Sequence, residues 1–238
     1  MRVTVLQLNS RDDKAANLER AHALMTRAVA REHPDLLALP ETFPMMGGSR
    51  EARLAAAEPL PGGPAYELLR EFARRHGIFV HGGSLLEQTA HGIFNTTVVF
   101  DRDGREIARY RKIHLFDVVT PDGRTYRESE VFARGSEVVV CDLEGLRVGL
   151  SICYDLRFGE LYRRLAALGA ELLMVPAAFT LQTGKDHWEV LLRARAIETQ
   201  CYVAAPAQWG PYPASGEMRW NYGHAMIIGP WGHVLAQV

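Results

Sequence analysis

The chain repeats itself, and this limits its folding more than any other feature. Arg147-Val148-Gly149-Leu150-Ser151-Ile152-Cys153 matches residues 2–8, and Glu171-Leu172-Leu173-Met174-Val175-Pro176-Ala177-Ala178-Phe179 matches Asp35-Leu36-Leu37-Ala38-Leu39-Pro40-Glu41-Thr42-Phe43, at nearly equal spacings. Whatever one half builds, the other builds too. In the first half, residues 3–8 read as a strand. Ala15, Leu18, Ala21, Leu24, Met25, Ala28 and Val29 mark one apolar helix face, and 36–39 reads as a buried strand. A helix is predicted near 64–76, with its proline in the tolerated first turn, and strands near 78–82 and 95–100. Asp103-Gly104 then turns the chain into a strand over 106–111. The second half repeats the series: a helix marked by Leu161, Leu165 and Leu168, a helix from about 187 to 199, a strand over 201–205, and Gly229-Pro230-Trp231-Gly232 where 101–104 stood.

If each half forms a sheet with helices on one face, the bare faces bury each other. The expected class is α/β: a four-layer α-β-β-α sandwich built from two similar halves. One domain over 1–238 is expected, since no Ser/Gly-rich linker divides the halves. The 25 residues 112–136 are the only long irregular connection, and such loops are usually functional or disordered.

Composition narrows the function. The 27 basic and 28 acidic residues nearly cancel without forming runs of one sign, so neither nucleic acid nor an anionic membrane is an expected partner. No eighteen-residue apolar stretch and no cationic leader is found, and three scattered cysteines make no disulfide framework. A cytoplasmic setting is expected. Only Lys14, Lys112 and Lys185 among the basic residues are lysine, so a lysine here needs a reason.

Comparing the halves exposes the anomalies. Glu41 occupies the place of Ala177, just after a strand-ending Leu-Pro. Cys153 occupies the place of Leu8, at a strand end before a helix whose N–H groups and dipole would favour thiolate and supply oxyanion donors. Lys112 follows the last strand of the first half, beside an Arg111 that shows arginine was available. If these strand ends converge, the thiol can pass its proton to Glu41 while Lys112 steadies the anions. Cys141 and Cys201 lie in apolar runs and read as core. Neither HExxH nor a CxxC pair is present and no glycine-rich phosphate loop follows a strand, so no metal and no cofactor is expected. His114, His187 and His224 read as hydrogen-bonding core or pocket residues. Asn95-Thr96-Thr97 fits a glycosylation pattern but reads as a strand start, and Trp209 and Trp220 read as rims of a pocket.

Leu39-Pro40-Glu41-Thr42-Phe43, Tyr110-Arg111-Lys112-Ile113-His114-Leu115 and Ser151-Ile152-Cys153-Tyr154-Asp155-Leu156-Arg157-Phe158 resemble the three motifs of the nitrilase superfamily of carbon–nitrogen hydrolases, and the resemblance runs through essentially the whole chain. It implies a catalytic Glu41, Lys112 and Cys153, with Glu128 placed like the family's further glutamate, structural or catalytic. Residues 176–208, especially Thr183-Gly184 and 193–202, look most like the Nit branch of deaminated glutathione amidases and omega-amidases, with the former favoured. The implied reaction is hydrolysis of a carboxamide in a small carboxylate-bearing substrate, releasing ammonia through a cysteine thioester. The oxyanion would be held by Lys112 and the Tyr154 N–H. Arg157, Phe179 and Thr183 are the implied substrate-binding residues, Arg157 having a structural ion pair as its alternative role. Arg193 and Arg195 could bind the sheet or a partner subunit. A homodimer or higher homo-oligomer is implied. Relative to the family, the chain is expected to lack the usual C-terminal strand and tail. A nitrilase or N-carbamoyl hydrolase using the same triad, and a catalytically silent scaffold of the same fold, are the alternative readings.

Overall fold

The computed structural model describes residues 1–120, 123–214 and 216–238. The first half runs β1 (Val3–Val5), β2 (Gln7–Leu8), α1 (Lys14–Glu32), β3 (Leu36–Ala38), α2 (Arg50–Ala56), α3 (Pro64–His76), β4 (Phe79–His81), β5 (Leu85–Thr89), β6 (Gly92–Phe100) and β7 (Glu106–Arg111). A hairpin of β8 (Asp117–Val119) and β9 (Thr125–Arg127) follows. The second half runs β10 (Val140–Leu143), β11 (Leu146–Leu150), α4 (Gly159–Ala167), β12 (Leu172–Met174), α5 (Leu181–Thr199), β13 (Tyr202–Ala205), β14 (Ala207–Ala214), β15 (Glu217–Tyr222), β16 (Met226–Ile228) and β17 (Val234–Gln237).

The duplication is visible in the topology. In one sheet β1, β3 and β4 are parallel, followed by antiparallel β6 and β7; in the other β11, β12 and β13 are parallel, followed by antiparallel β16 and β17. Val3 pairs with Leu36 as Val148 pairs with Leu172, so the matched segments occupy matched places. Side-chain alternation then builds the layers. Leu36, Ala38 and Phe79 point into the core shared with Leu150, Leu172 and Met174, while Leu37, Leu39 and Val80 point the other way, onto Met25, Leu69 and Phe72 of the helices. The result is the expected α-β-β-α sandwich.

Local signals account for the helix ends. The Asp13 side chain accepts the Ala16 N–H to cap α1, Pro64 opens α3, and Gly77 closes it in the left-handed region. Two expectations are corrected. Helix α5 begins at Leu181, six residues before 187, because Thr180 caps it there. The connection over 112–136 contains the β8–β9 hairpin and a short turn of 3-10 helix, Glu128–Glu130; its residues 121 and 122 lie outside the described residues. After the turn at Gly232, Val234–Gln237 pair with β16 at the edge of the sheet. No helix among the described residues is long and apolar enough to cross a membrane.

Candidate active site

Each half ends its strands at the same edge, and three strand ends meet there. Glu41 follows β3 by three residues. Its carbonyl accepts a hydrogen bond from Gln208 Nε2, and the next residue, Thr42, donates its N–H to Ser84 Oγ (2.8 Å). Gly83, at φ +58, lets this turn sit close: a Cβ there would fall 2.1 Å from the Pro40 carbonyl oxygen. Lys112 follows β7, its N–H donating to the Asn95 carbonyl. Strand alternation separates it from Arg111, which points outward to a bidentate pair with Glu87. Cys153 follows β11 with φ +49, an uncommon conformation for a residue with a Cβ. Its own N–H is taken by the Pro176 carbonyl.

The three side chains form one buried group. Lys112 Nζ lies 2.9 Å from Glu41 Oε1 and 2.8 Å from Glu128 Oε2. The other Glu41 oxygen, Oε2, accepts the Ala178 N–H at 2.9 Å, and the Glu41 charge acts on the neighbouring Cys153 thiol. Glu128 is held by Lys112 and by the Phe116 N–H (2.7 Å). Lys112, Glu41 and Cys153 are 2%, 4% and 7% exposed, so these charges act with little screening by water. Burial alone would push Lys112 toward its neutral form, but the flanking Glu128 and Glu41 carboxylates hold it well above the usual lysine range.

The state of the sulfur corrects one expectation. Burial pushes the Cys153 thiol well above the ordinary range and the Glu41 charge adds to this, with Lys112 opposing. The segment after Cys153 is a five-residue 3-10 turn, with α4 starting only at Gly159, so no long helix dipole is aimed at the sulfur. The resting group is a neutral thiol beside a carboxylate. The Tyr154 N–H, at the start of that turn, has no backbone acceptor among the described residues and remains available as a donor.

Glu41, Lys112, Glu128, Cys153, Tyr154, Arg157, Phe179 and Thr183 all line one cavity of about 470 Å³. Arg157 is held without a carboxylate partner among the described residues: it packs over Tyr154 and Phe179 and faces His187 Nδ1 at 3.3 Å. The alternative of a structural ion pair is thereby set aside. Arg195 is structural, donating to the Leu156 carbonyl and to Glu198, and Arg193 donates to the Gly232 carbonyl. Trp209 and Trp220 do not line the cavity; both are about half exposed on the β14–β15 hairpin.

Two residues that sequence reasoning left without a role build the site. Asn95 is no strand start: it is buried within β6, and its Nδ2 bridges Glu41 Oε1 (2.9 Å) and Glu128 Oε1 (3.2 Å). A polar run inside an otherwise apolar strand was the available signal. Asp155, fully buried, accepts from Tyr110 Oη (2.7 Å), the Ile152 N–H (2.9 Å) and the His114 N–H (3.0 Å), with His114 Nδ1 also 2.7 Å away. It fastens the Cys153 elbow to the segment that carries Lys112.

A duplicated sandwich that brings a carboxylate, an ammonium and a thiol from three strand ends into one pocket has the design of a hydrolase acting on carbon–nitrogen bonds. The carbon-nitrogen hydrolase family matches residues 2–238, and the chain belongs to it, as the motifs implied. It is 45% identical to a deaminated glutathione amidase of Synechocystis sp., over 97% of this chain and 85% of that protein. It is 39% identical to the omega-amidase NIT2 of Homo sapiens, over 99% of this chain and 83% of that one. Among solved structures it matches an amidase from Nesterenkonia sp. AN1 whose active-site cysteine carries a Michael adduct of acrylamide, with a TM-score of 0.83 and 28% identity over 100% of this chain and 89% of that one. The chain is a cysteine-dependent enzyme of carbon–nitrogen bond hydrolysis.

Proposed function

We propose that the chain hydrolyses a carboxamide in a small carboxylate-bearing substrate through a thioester on Cys153, most like the deaminated glutathione amidase that it resembles. The observation that carries this reading is the buried Glu41 carboxylate, 2.9 Å from Lys112 Nζ and lining the same cavity as the Cys153 thiol, whose ionisation its charge opposes. Glu41 takes the thiol proton as sulfur attacks the amide carbon; the new C–S bond pushes the carbonyl electrons onto oxygen. Lys112 and the Tyr154 N–H hold that oxyanion. As the oxyanion collapses, the C–N bond breaks, and the proton on Glu41 leaves with the nitrogen as ammonia or a free amine. Water, its proton taken by Glu41, then attacks the thioester carbon. The C–S bond breaks and the sulfur regains its proton from Glu41. Glu128 keeps Lys112 protonated and in place.

Arg157, Phe179 and Thr183 form the wall that takes the carboxylate on the acyl side, where an unpaired guanidinium offers a bidentate bond. The three free thiols fit a reducing compartment such as the cytoplasm. The exposed Val190, Ile197 and Trp231 fit a homodimer face, for which sedimentation should return twice the chain mass.

The test is ammonia or amine release from a panel of dicarboxylic monoamides, nitriles and N-carbamoyl acids, with wild type and Cys153→Ala. Turnover of the monoamides that disappears in the variant is expected. Release that survives in Cys153→Ala overturns the thioester, and a preference for nitriles or carbamoyl acids overturns the substrate class.

A further inference from the structure

The duplicated halves leave the same strand end in two ways. Ala38 faces His81 in the ladder as Met174 faces Ala204, and Leu39 donates its N–H to the His81 carbonyl as Val175 donates to the Ala204 carbonyl. Beyond Pro40 and Pro176 the halves part. The second stays on the ladder: the Ala177 N–H donates to the Pro206 carbonyl, and the Ala177 carbonyl accepts the Gln208 N–H. In the first the chain turns. Thr42 sits at φ +45, a left-handed conformation that its twin Ala178 does not adopt, and the Met45 N–H closes the turn on the Thr42 carbonyl. A β-branched residue there is strained, and it persists only where its surroundings hold it. The Thr42 N–H is held at 2.8 Å by the hydroxyl of Ser84, which is fully buried. Counted on from His81 and Ala204, Ser84 stands where the second half has Ala207, which offers no hydroxyl. The half that carries the acid therefore carries both the strained residue and the group that holds it, while the other half has alanine at both places. The sandwich itself does not need this turn.

We propose that Ser84 is a positioning residue for the reaction, holding Thr42 in its left-handed turn and so fixing Glu41 as the base. The turn takes Glu41 off the backbone ladder that its twin Ala177 joins, and the carboxylate is seated between Lys112 Nζ and the Ala178 N–H, each 2.9 Å away. Ser84 does not line the cavity and acts only through the Thr42 backbone. Without its hydroxyl, Thr42 relaxes toward a negative φ and carries Glu41 away from Lys112. This deepens the amidase reading and rests on it, because Glu41 is the proton acceptor there.

The experiment measures succinamate turnover by wild type, Ser84→Ala, Thr42→Gly and the double variant. Ser84→Ala should lower kcat about ten- to a hundredfold with little change in KM, and should move the acid limb of the pH–rate profile, since it displaces Glu41. Glycine adopts the left-handed region without strain, so it keeps the turn with no hydroxyl to hold it. In the Thr42→Gly background the Ser84→Ala loss should therefore shrink to less than about threefold, a coupling that a merely structural hydroxyl would not show. Equal losses in both backgrounds, or no loss in Ser84→Ala, overturn the proposal and leave the amidase reading standing. A folded but inactive Thr42→Gly also overturns it, because the turn is then kept and does not suffice. Should Ser84→Ala fail to fold, a double variant that folds and matches Thr42→Gly in turnover supports the proposal, and one that is unfolded or inactive overturns it. If wild type turns over no amide, the amidase reading falls, and the clamp is judged by the rate at which iodoacetamide alkylates Cys153 in the four chains, followed by peptide mass. Slowing by Ser84→Ala that Thr42→Gly rescues supports it, and equal rates overturn it.

Discussion

Asn95 Nδ2 stands 2.9 Å from Glu41 Oε1, donating from the middle of β6 to a carboxylate from the end of β3, and the same amide reaches Glu128 at 3.2 Å. One neutral side chain thus sets the spacing of two buried acids around Lys112. Replacing it with leucine, which keeps the branch at Cγ but has no N–H to donate, frees both acids to shift. Turnover of a monoamide should fall about a hundredfold, since misplacement by an ångström costs that much. Because the change acts through Glu41, kcat should fall more than KM rises and the acid limb of the pH–rate profile should move. An unmoved profile would make Asn95 merely structural.

Lys112 should tolerate no substitute. Lys112→Met removes the cation between Glu41 and Glu128 and an oxyanion donor, and turnover should drop on the order of 10²–10³. Lys112→Arg keeps the charge but not the compact ammonium, and should not restore it. Both variants should also melt lower than wild type, as a buried carboxylate pair loses its counter-ion. Steady-state kinetics and thermal melts check this.

The resting thiol gives a spectroscopic expectation. Burial and Glu41 hold the Cys153 group above its ordinary value of 9.0, so it is neutral at neutral pH and ionises only in stronger alkali. The ultraviolet thiolate band in the difference between wild type and Cys153→Ala should be absent at neutral pH. A thiolate band at neutral pH would mean a preformed ion pair and would remove the need for Glu41 as a base.

Asp155 should be worth as much to stability as to catalysis. Asp155→Ala strands the Tyr110 hydroxyl and the Ile152 and His114 N–H groups, each an unmet donor costing about 1–3 kcal/mol when buried. A fall in Tm of about 10 °C is expected for a chain of this size. A melt within a degree or two of wild type would contradict the anchoring role.

His81 supplies an acid-sensitive element. It is buried in β4, its Nδ1 accepts the Gly83 N–H, and burial holds its pKa down to about 3. An unfolded imidazole titrates near 6.5, so between about pH 6.5 and 3 the unfolded chain binds a proton that the native one refuses. Stability therefore falls as pH falls through this window, by at most about 1.4 kcal/mol per pH unit. Urea unfolding from pH 7 to 4 should show a shallower loss for His81→Gln than for wild type; parallel curves would contradict the assignment.

The sequence by itself carried the architecture and the reacting groups. Repeated strand and helix periods are local properties, and a repeat forces two like halves to bury their bare faces together, which is the sandwich found. Glu41, Lys112 and Cys153 stood out because each breaks a pattern that its neighbours or its twin segment obeys. Folding alone decided how these groups behave. Whether Cys153 rests as thiol or thiolate depends on burial and on a carboxylate 112 positions away in the numbering. Asn95 and Asp155 acquire their roles only when β6, β7 and the Cys153 elbow meet. Arg53 and Arg219 line the active-site cavity with Nε atoms that have no acceptor among the described residues, which no sequence pattern announces. Periodicity records what each residue must bury, but hydrogen bonds and charge coupling depend on distances between remote segments, and those exist only in the folded chain.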